Sequence, residues 1–239
     1  MLAGNYLGNE TNPYAILVNA TKADIHPDTR VIGSSVFSRK KLGDFRVPEG
    51  VRSIGSGAFY DASCSNLILP DSLLSVGKGA FLDLNMTYSG IYEDLRLPRG
   101  LVYIAENAFE NCTMFGEIRM LDTVRYIGRF SFRFINGANN LVLSCGLTMI
   151  PDYSFDDTGM ISAVIPNSIL YIDSSVFNSG YQTLKSVYYT GNRQEWERII
   201  ISTWDNNSLL NAPLYYYSET QPEQSGNSWH YVDGVPSIW

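Results

Sequence analysis

A phenylalanine that recurs about every 22 residues constrains the fold of this chain more than any other feature of its sequence. The spacings between successive members are 22, 22, 28, 23, 23 and 22 residues. An isoleucine or valine lies five residues before each of them. The phenylalanines are Phe37, Phe59, Phe81, Phe109, Phe132, Phe155 and Phe177. A repeat of this length predicts a stacked architecture, because one unit is too short to bury its own apolar side chains.

A second set of apolar residues precedes a slot that is proline in four of the full units. The prolines are Pro48, Pro70, Pro98 and Pro166. The positions three and one before this slot are apolar, as in Phe45 and Val47, and the residue between them points the other way, which is the periodicity of a strand. Parallel ladders would join successive coils at a spacing of about 4.8 Å. We therefore expect a mainly β solenoid of seven to eight units, with short parallel strands and short helical turns.

Composition removes several classes of function. The 239 residues include 17 Lys+Arg and 24 Asp+Glu, which gives a formal net charge of −7. Binding to duplex nucleic acid needs clustered basic side chains, so we expect no nucleic-acid partner. No segment approaches the roughly 20 apolar residues of a membrane-spanning helix, so we expect no membrane span. The chain has 3 cysteines, which are too few for a disulfide framework.

The titratable residues of the sequence form no recognisable catalytic or metal-binding motif. The residues weighed were His26, His230, Cys64, Cys112, Cys145, Asp122, Asp156 and Asp157. The histidines lie far apart, the cysteines form no C-x-x-C pair, and a glycosidase or a calcium loop would need several carboxylates at fixed spacing. We therefore predict no catalytic residue, no metal site, no cofactor and no enzyme activity.

The repeating unit, written L-x-x-L-x-L-P-x-x-L-x-x-[IV]-G-x-x-A-F, resembles the BspA-type leucine-rich repeat. Segments 53–59 and 103–112 lie close to that consensus, and the resemblance covers about residues 25–190. It implies a solenoid of the leucine-rich-repeat type. It also implies an extracellular or cell-surface protein, because such repeats are abundant in surface proteins of gut and oral bacteria. Characterised members resemble adhesins that bind host matrix proteins or other cells.

Both ends of the solenoid are predicted to carry caps, since a stack of coils exposes its last edges. We assign residues 1–24 to an N-terminal cap, 25–190 to the solenoid and 191–239 to a C-terminal cap and tail. The segment from Asn192 to Ile200 is predicted as an amphipathic capping helix. The tail from Trp229 to Trp239 is predicted to form a hairpin that folds back with both tryptophans packed. The alternative is that this tail begins a further segment.

One outward row of strand residues is the candidate protein-binding surface. Stacking places the residues two before the proline slot side by side on one sheet face, where the apolar members would form a patch toward the C-terminal half. The row consists of Arg46, Ile68, Arg96, Arg119, Val142, Val164 and Tyr188. The alternative interpretation is an ordinary solvated sheet face.

Three functions remain open at the level of sequence. The first is an adhesin-like, non-catalytic module, which we expect to be a monomer with a protein partner such as a host matrix or cell-surface protein. The second is an intracellular scaffold, because the segment before residue 21 has only a five-residue apolar run and no basic stretch, unlike a secretory signal. The third is a polysaccharide-acting enzyme built on a β-solenoid.

Overall fold

The computed structural model describes residues 25–86, 97–178, 184–223 and 226–239 of the chain. Its first strands are β1 (Val31–Ile32), β2 (Asp44–Arg46), β3 (Ser53–Ile54), β4 (Ser63–Cys64), β5 (Asn66–Ile68), β6 (Ser75–Val76), β7 (Asn85–Met86), β8 (Tyr103–Ile104), β9 (Thr113–Arg119) and β10 (Tyr126–Ile127). The later strands are β11 (Asn136–Val142), β12 (Met149–Ile150), β13 (Ser162–Ile165), β14 (Tyr171–Ile172), β15 (Ser186–Tyr189), β16 (Ile200–Ile201), β17 (Leu214–Tyr217), β18 (Ser228–Val232) and β19 (Val235–Ile238). The helices are α1 (Arg193–Trp196) and α2 (Asn207–Leu210). The predicted cap at residues 1–24 lies outside the described residues.

Parallel ladders run along the stack and confirm the predicted solenoid. Two-residue strands that end at the repeat isoleucine or valine pair in the order β1-β3-β6-β8-β10, and again in the order β12-β14-β16. A second sheet of longer strands has the order β19-β18-β17-β15-β13-β11-β9. Every strand pair among the described residues is parallel except β18 with β19.

The repeat phenylalanines form one continuous column through the core. Successive rings lie 5.1–5.7 Å apart between centroids and are stacked. The column is buried along its whole length. Each coil therefore supplies one aromatic layer, and the 22-residue spacing in sequence becomes a single stacking step in space.

Each phenylalanine sits in a tight turn that bonds to the next coil. Phe59 N–H donates to the Ala80 carbonyl at 2.7 Å, and the equivalent bonds recur along the stack. The residues two before and two after the ring adopt left-handed backbone, for example Gly57 at φ 59° and Asp61 at φ 51°. Glycine, asparagine and aspartate tolerate this region better than other residues, which explains their frequency at these positions.

The C-terminal module differs from the predicted capping helix. Helix α1 begins at the N-cap Asn192 with a capping box to Glu195 and ends at Trp196. Ile200 lies in β16, which pairs with β14, and its side chain is 66% exposed. The predicted helix from Asn192 to Ile200 is therefore not confirmed. Parallel pairing with the previous coil determines this segment, and the ladders continue past residue 190 through β16 and β17.

The tail forms the predicted hairpin. Strands β18 and β19 pair antiparallel around Asp233 and Gly234, which have φ values of 50° and 80° as a tight two-residue turn requires. Trp229 is completely buried, so its predicted packing is confirmed. Trp239 is only partly covered, and its indole N–H donates to the Ser218 carbonyl at 3.1 Å.

Candidate protein-binding faces

The outward row predicted from sequence exists as a row in space. Arg119, Val142, Val164 and Tyr188 are neighbours in register on β9, β11, β13 and β15. Tyr215 on β17 extends the row by one position. We call these residues, together with the register pair Arg46 and Ile68 on β2 and β5, the first face. Arg96 lies outside the described residues.

The predicted exposure of the apolar patch on the first face is wrong. Val142 is only 8% exposed and Val164 only 3%, because the hairpin of β18 and β19 lies over them. Trp229 packs against both valines, and its ring centroid lies 5.4 Å from that of Tyr188. Its indole N–H donates to the Tyr189 carbonyl at 2.8 Å, so the one polar group of the buried ring is satisfied.

The hairpin crosses the strands of the sheet rather than merely extending it. Trp229 is the register partner of Tyr217 on β17, whereas the Gly234 carbonyl at the hairpin tip accepts from Arg119 on β9 at 3.4 Å. The first face is thus covered by the chain itself from β17 to β9. Tyr231 lies on β18 in the hairpin itself, contacts Trp229 at 4.9 Å between rings and is 41% exposed; its partial burial raises its pKa. Arg46 remains exposed.

A second row of surface residues, which the sequence interpretation did not single out, lies on the other ladder. We define the second face as the residues one and two positions before the inward isoleucine or valine of that ladder. One line is Val31, Ser53, Ser75, Tyr103, Tyr126, Met149, Tyr171 and Ile200. The other is Arg30, Arg52, Leu74, Val102, Arg125, Thr148, Leu170 and Ile199. All of them except Ile199 are exposed or half-buried.

The second face is apolar and aromatic over most of its length. The rings of Tyr103 and Tyr126 stack at 4.7 Å with an interplanar angle of 6°. Met149 and Leu170 continue the exposed apolar surface beyond them. The repeat alignment alone could have located this face, because its residues occupy a fixed offset from the repeat isoleucine.

The arginines of the second face form no salt bridge with the described chain, although the guanidinium of Arg30 lies against Gly50 and that of Arg125 against Gly146. Among the residues that the structure describes, Arg30, Arg52 and Arg125 have no ion pair within 4.0 Å and no side-chain hydrogen bond. Their charges are therefore available to a partner. Arginine and tyrosine together are enriched at the energetic centres of protein interfaces.

A cluster on the turn edge gives Asp156 a structural partner. Arg133 donates to Asp156 at 2.9 Å and lies 4.1 Å from the Phe134 ring centroid. Phe130 and Tyr153 stack beside it at 5.0 Å. Burial raises the pKa of Asp156 above its usual value, and the nearby Arg133 guanidinium offsets only part of this increase. The cluster ties neighbouring turns together, which is a structural role.

The thiols of Cys64 and Cys112 are buried, whereas Cys145 is exposed and its backbone N–H donates to Asp122 at 3.3 Å. Burial raises the pKa of Cys64 to about 11 and raises the pKa of Cys112 as well, so neither forms a thiolate readily. His26 is exposed beside Asp28 at 3.7 Å, and His230 packs on the Trp239 ring at 3.6 Å. In the described parts of the chain, no three His, Cys, Asp or Glu side chains lie close enough to hold a metal ion.

Comparison with known proteins identifies the repeat. A family model described as "BspA type Leucine rich repeat region" matches in 6 copies over residues 14–91 and 87–203. No curated protein matches the chain. None of the helices in the described ranges is long and apolar enough to cross a membrane.

Solved structures of bacterial proteins are similar to the chain. A leucine-rich cell surface protein from Faecalibacterium prausnitzii is 19% identical at a TM-score of 0.40, covering 73% of this chain and 55% of that one. A leucine-rich repeat protein from Bacteroides ovatus is 20% identical at a TM-score of 0.46, covering 70% and 48%. The pneumococcal vaccine antigen PcpA is 18% identical at a TM-score of 0.36, covering 67% and 44%. The chain spans about half the length of these proteins.

Proposed function

Because the chain belongs to the BspA-type leucine-rich repeat family, we propose that it is a non-catalytic protein-interaction module that acts at a bacterial cell surface or after secretion. Family membership supports this location, since such repeats are abundant in bacterial surface proteins. The proposed role is adhesion to a host or neighbouring-cell protein. A rigid stack of coils suits this role because it presents fixed rows of side chains.

The observation that carries the proposal is the exposed second face. Tyr103, Tyr126 and Met149 are each exposed by about two-fifths. Tyr103 and Tyr126 are register partners, and Met149 occupies the equivalent position of the next coil. Contiguous apolar surface of this kind marks interaction sites in soluble proteins. Its side chains need no rearrangement to meet a partner, which lowers the cost of association.

We assign the first face a smaller part in partner binding. Its C-terminal half already holds the chain's own hairpin, so Val142 and Val164 are not available to a partner. Arg46, which is exposed on β2, remains a predicted contact for an external protein. We assign the main partner-binding role to the second face.

Binding to an array of matrix proteins and glycans tests the interaction. We expect the chain to bind at least one protein on the array, and the double variant Tyr103→Ser/Tyr126→Ser to bind at least about tenfold more weakly. The matched control is Val232→Ser/Val235→Ser, which removes two exposed apolar residues from the hairpin tip. Equal loss in both variants, or binding to glycans alone, would contradict the proposal.

A separate experiment tests the location. Protease treatment of intact native cells, followed by detection of the chain, distinguishes a surface protein from an intracellular scaffold. We expect the chain to be degraded while a cytoplasmic marker remains intact. Protection equal to that of the marker would favour the scaffold. Release of new reducing ends from a polysaccharide panel would instead favour an enzyme.

A further inference from the structure

The second face carries a charge opposite to that of the chain. The chain as a whole has 24 Asp+Glu against 17 Lys+Arg. The sixteen residues of the second face include the arginines Arg30, Arg52 and Arg125 but no aspartate or glutamate. A positive and apolar surface on an acidic protein is electrostatically complementary to a negatively charged partner.

The carboxylates that border the second face are largely engaged elsewhere. Glu106 lies 3.3 Å from Lys78, and Asp152 lies 2.6 Å from Arg129. Asp71 lies 3.6 Å from Arg99. On the border formed by Lys78, Glu106, Arg129 and Asp152 the charges alternate from one coil to the next and compensate each other locally. On the other border Glu49 and Asp122 form no salt bridge within the described chain, and neither do the arginines of the face.

Most of the charge and most of the apolar surface lie toward opposite ends of the stack. Arg30 and Arg52 lie on the first coils, next to Ser53 and Ser75, whose hydroxyls are hydrogen-bonded at 3.0 Å. Apart from Val31 beside Arg30, the exposed apolar residues of the face lie from Leu74 to Ile200, a stretch in which Arg125 is the one arginine of the face. With a rise of about 4.8 Å per coil, the two ends of the face lie roughly 30 Å apart. A partner that fits both ends must be elongated and must carry different chemistry at its two ends.

We propose that the second face binds an acidic polypeptide segment whose carboxylates lie over Arg30 and Arg52 and whose apolar side chains cover the surface from Tyr103 to Ile200. This inference rests on the proposed function and adds the chemistry of the partner. A second copy of the chain paired through the same face does not fit, because that face offers no carboxylate to Arg30 and Arg52 in either orientation. The backbone groups of the ladder are already paired within it, so recognition proceeds through side chains.

A peptide-display selection tests the charge of the partner. Random peptides are selected on the wild-type chain, on Arg30→Glu/Arg52→Glu and on Lys41→Glu/Lys185→Glu. The last variant makes the same change of net charge at two exposed residues outside the second face. We expect the wild type and this control to enrich peptides rich in Asp and Glu that also carry apolar residues. The second-face variant should bind those peptides at least about tenfold more weakly, and about 0.5 M salt should weaken wild-type binding in the same direction.

The outcomes separate this inference from the proposed function. The selection could instead enrich peptides without an acidic bias that bind Tyr103→Ser/Tyr126→Ser more weakly than the wild type. That result would overturn the acidic partner but would still support a protein-interaction module. Enrichment that no second-face variant affects would overturn both. Heparin and anionic phospholipid vesicles serve as further probes. If either binds the second face while no peptide does, the partner is not a polypeptide and the inference is wrong. Circular dichroism verifies that each variant is folded.

Discussion

The same repeat builds the first face and the second face, but the two faces differ in how much of their apolar surface is exposed. Both are rows of outward residues at a fixed offset in each coil, and both contain apolar side chains. On the first face, Val142 and Val164 are covered by a hairpin anchored through Trp229. On the second face, Tyr126 and Met149 remain exposed. An apolar row on a stacked sheet is therefore not by itself a binding site, because the chain can supply its own cover.

Removing the anchor of the hairpin should have the largest effect on this difference. Trp229→Ala deletes a completely buried ring, and such truncations cost about 3–5 kcal/mol. We expect the hairpin to leave the first face while the coils stay folded. NOEs between Gly234 and Arg119, which report docking without the indole, would be lost, and the methyl resonances of Val102 on the second face would not move.

Trp204→Ala is the matched control for the anchor. Trp204 is 72% exposed, so its removal should leave the Val142 and Val164 resonances in place. If the NOEs between Gly234 and Arg119 persist in Trp229→Ala, the hairpin is held by other contacts. The contrast between a covered and an open face would then have a different cause.

A polar substitution should lower the free energy of unfolding more on the first face than on the second face. Val164→Ser places a hydroxyl in a buried apolar site, which costs about 1–3 kcal/mol. Met149→Ser on the second face alters an exposed residue and should change the free energy of unfolding by less than about 0.5 kcal/mol. Urea unfolding measures the change in the free energy of unfolding for both variants, provided that the m-value is unchanged. Equal costs would mean that the second face is covered in solution.

The repeat predicts the fold much better than it predicts which surface is open. The ring column from Phe37 to Phe177 and the neighbour relation of Val142 and Val164 both follow from periodicity. The burial of these valines does not, because it depends on a contact with Trp229 that lies far away in sequence and outside the repeat.

Local periodicity also gave a wrong result where pairing between coils decides the structure. Trp196, Ile199 and Ile200 have helical spacing, yet Ile200 pairs with Tyr171 in the parallel ladder. The sequence interpretation did not include the second face for a different reason. It used the strand before the proline slot, although the residues before the repeat isoleucine, such as Tyr103 and Tyr126, recur just as regularly.

Alkaline pH should release the hairpin from the first face. Burial raises the pKa of Tyr231, so the folded state favours the neutral phenol. The stability that this phenol contributes is complete below its unfolded pKa of about 10, and it is lost as pH rises through the higher folded pKa. The Val142 and Val164 methyl resonances should therefore move toward their undocked positions above about pH 10.

Tyr231→Phe isolates this group from the other tyrosines. Burial also raises the pKa values of Tyr189 and Tyr216, which pack into the solenoid core from β15 and β17 and titrate in the same direction. Phenylalanine cannot ionise, so the variant should keep its hairpin docked to a higher pH than the wild type. Identical pH profiles would assign the release to Tyr189 and Tyr216.

The smallest effect is expected at the polar tip of the hairpin. Arg119 contacts the Gly234 carbonyl at 3.4 Å, a long hydrogen bond at an exposed site, and it also pairs with Glu117 at 2.6 Å. Exposed contacts of this kind contribute about 0–1 kcal/mol. Arg119→Ala should therefore leave the Val142 and Val164 resonances near their wild-type positions, and Arg119→Lys should behave in the same way. If Arg119→Ala undocks the hairpin as fully as Trp229→Ala does, the cover of the first face depends on charge at its tip. Raising salt would then open the first face, and the proposal that only the second face is available to partners would hold at low ionic strength alone.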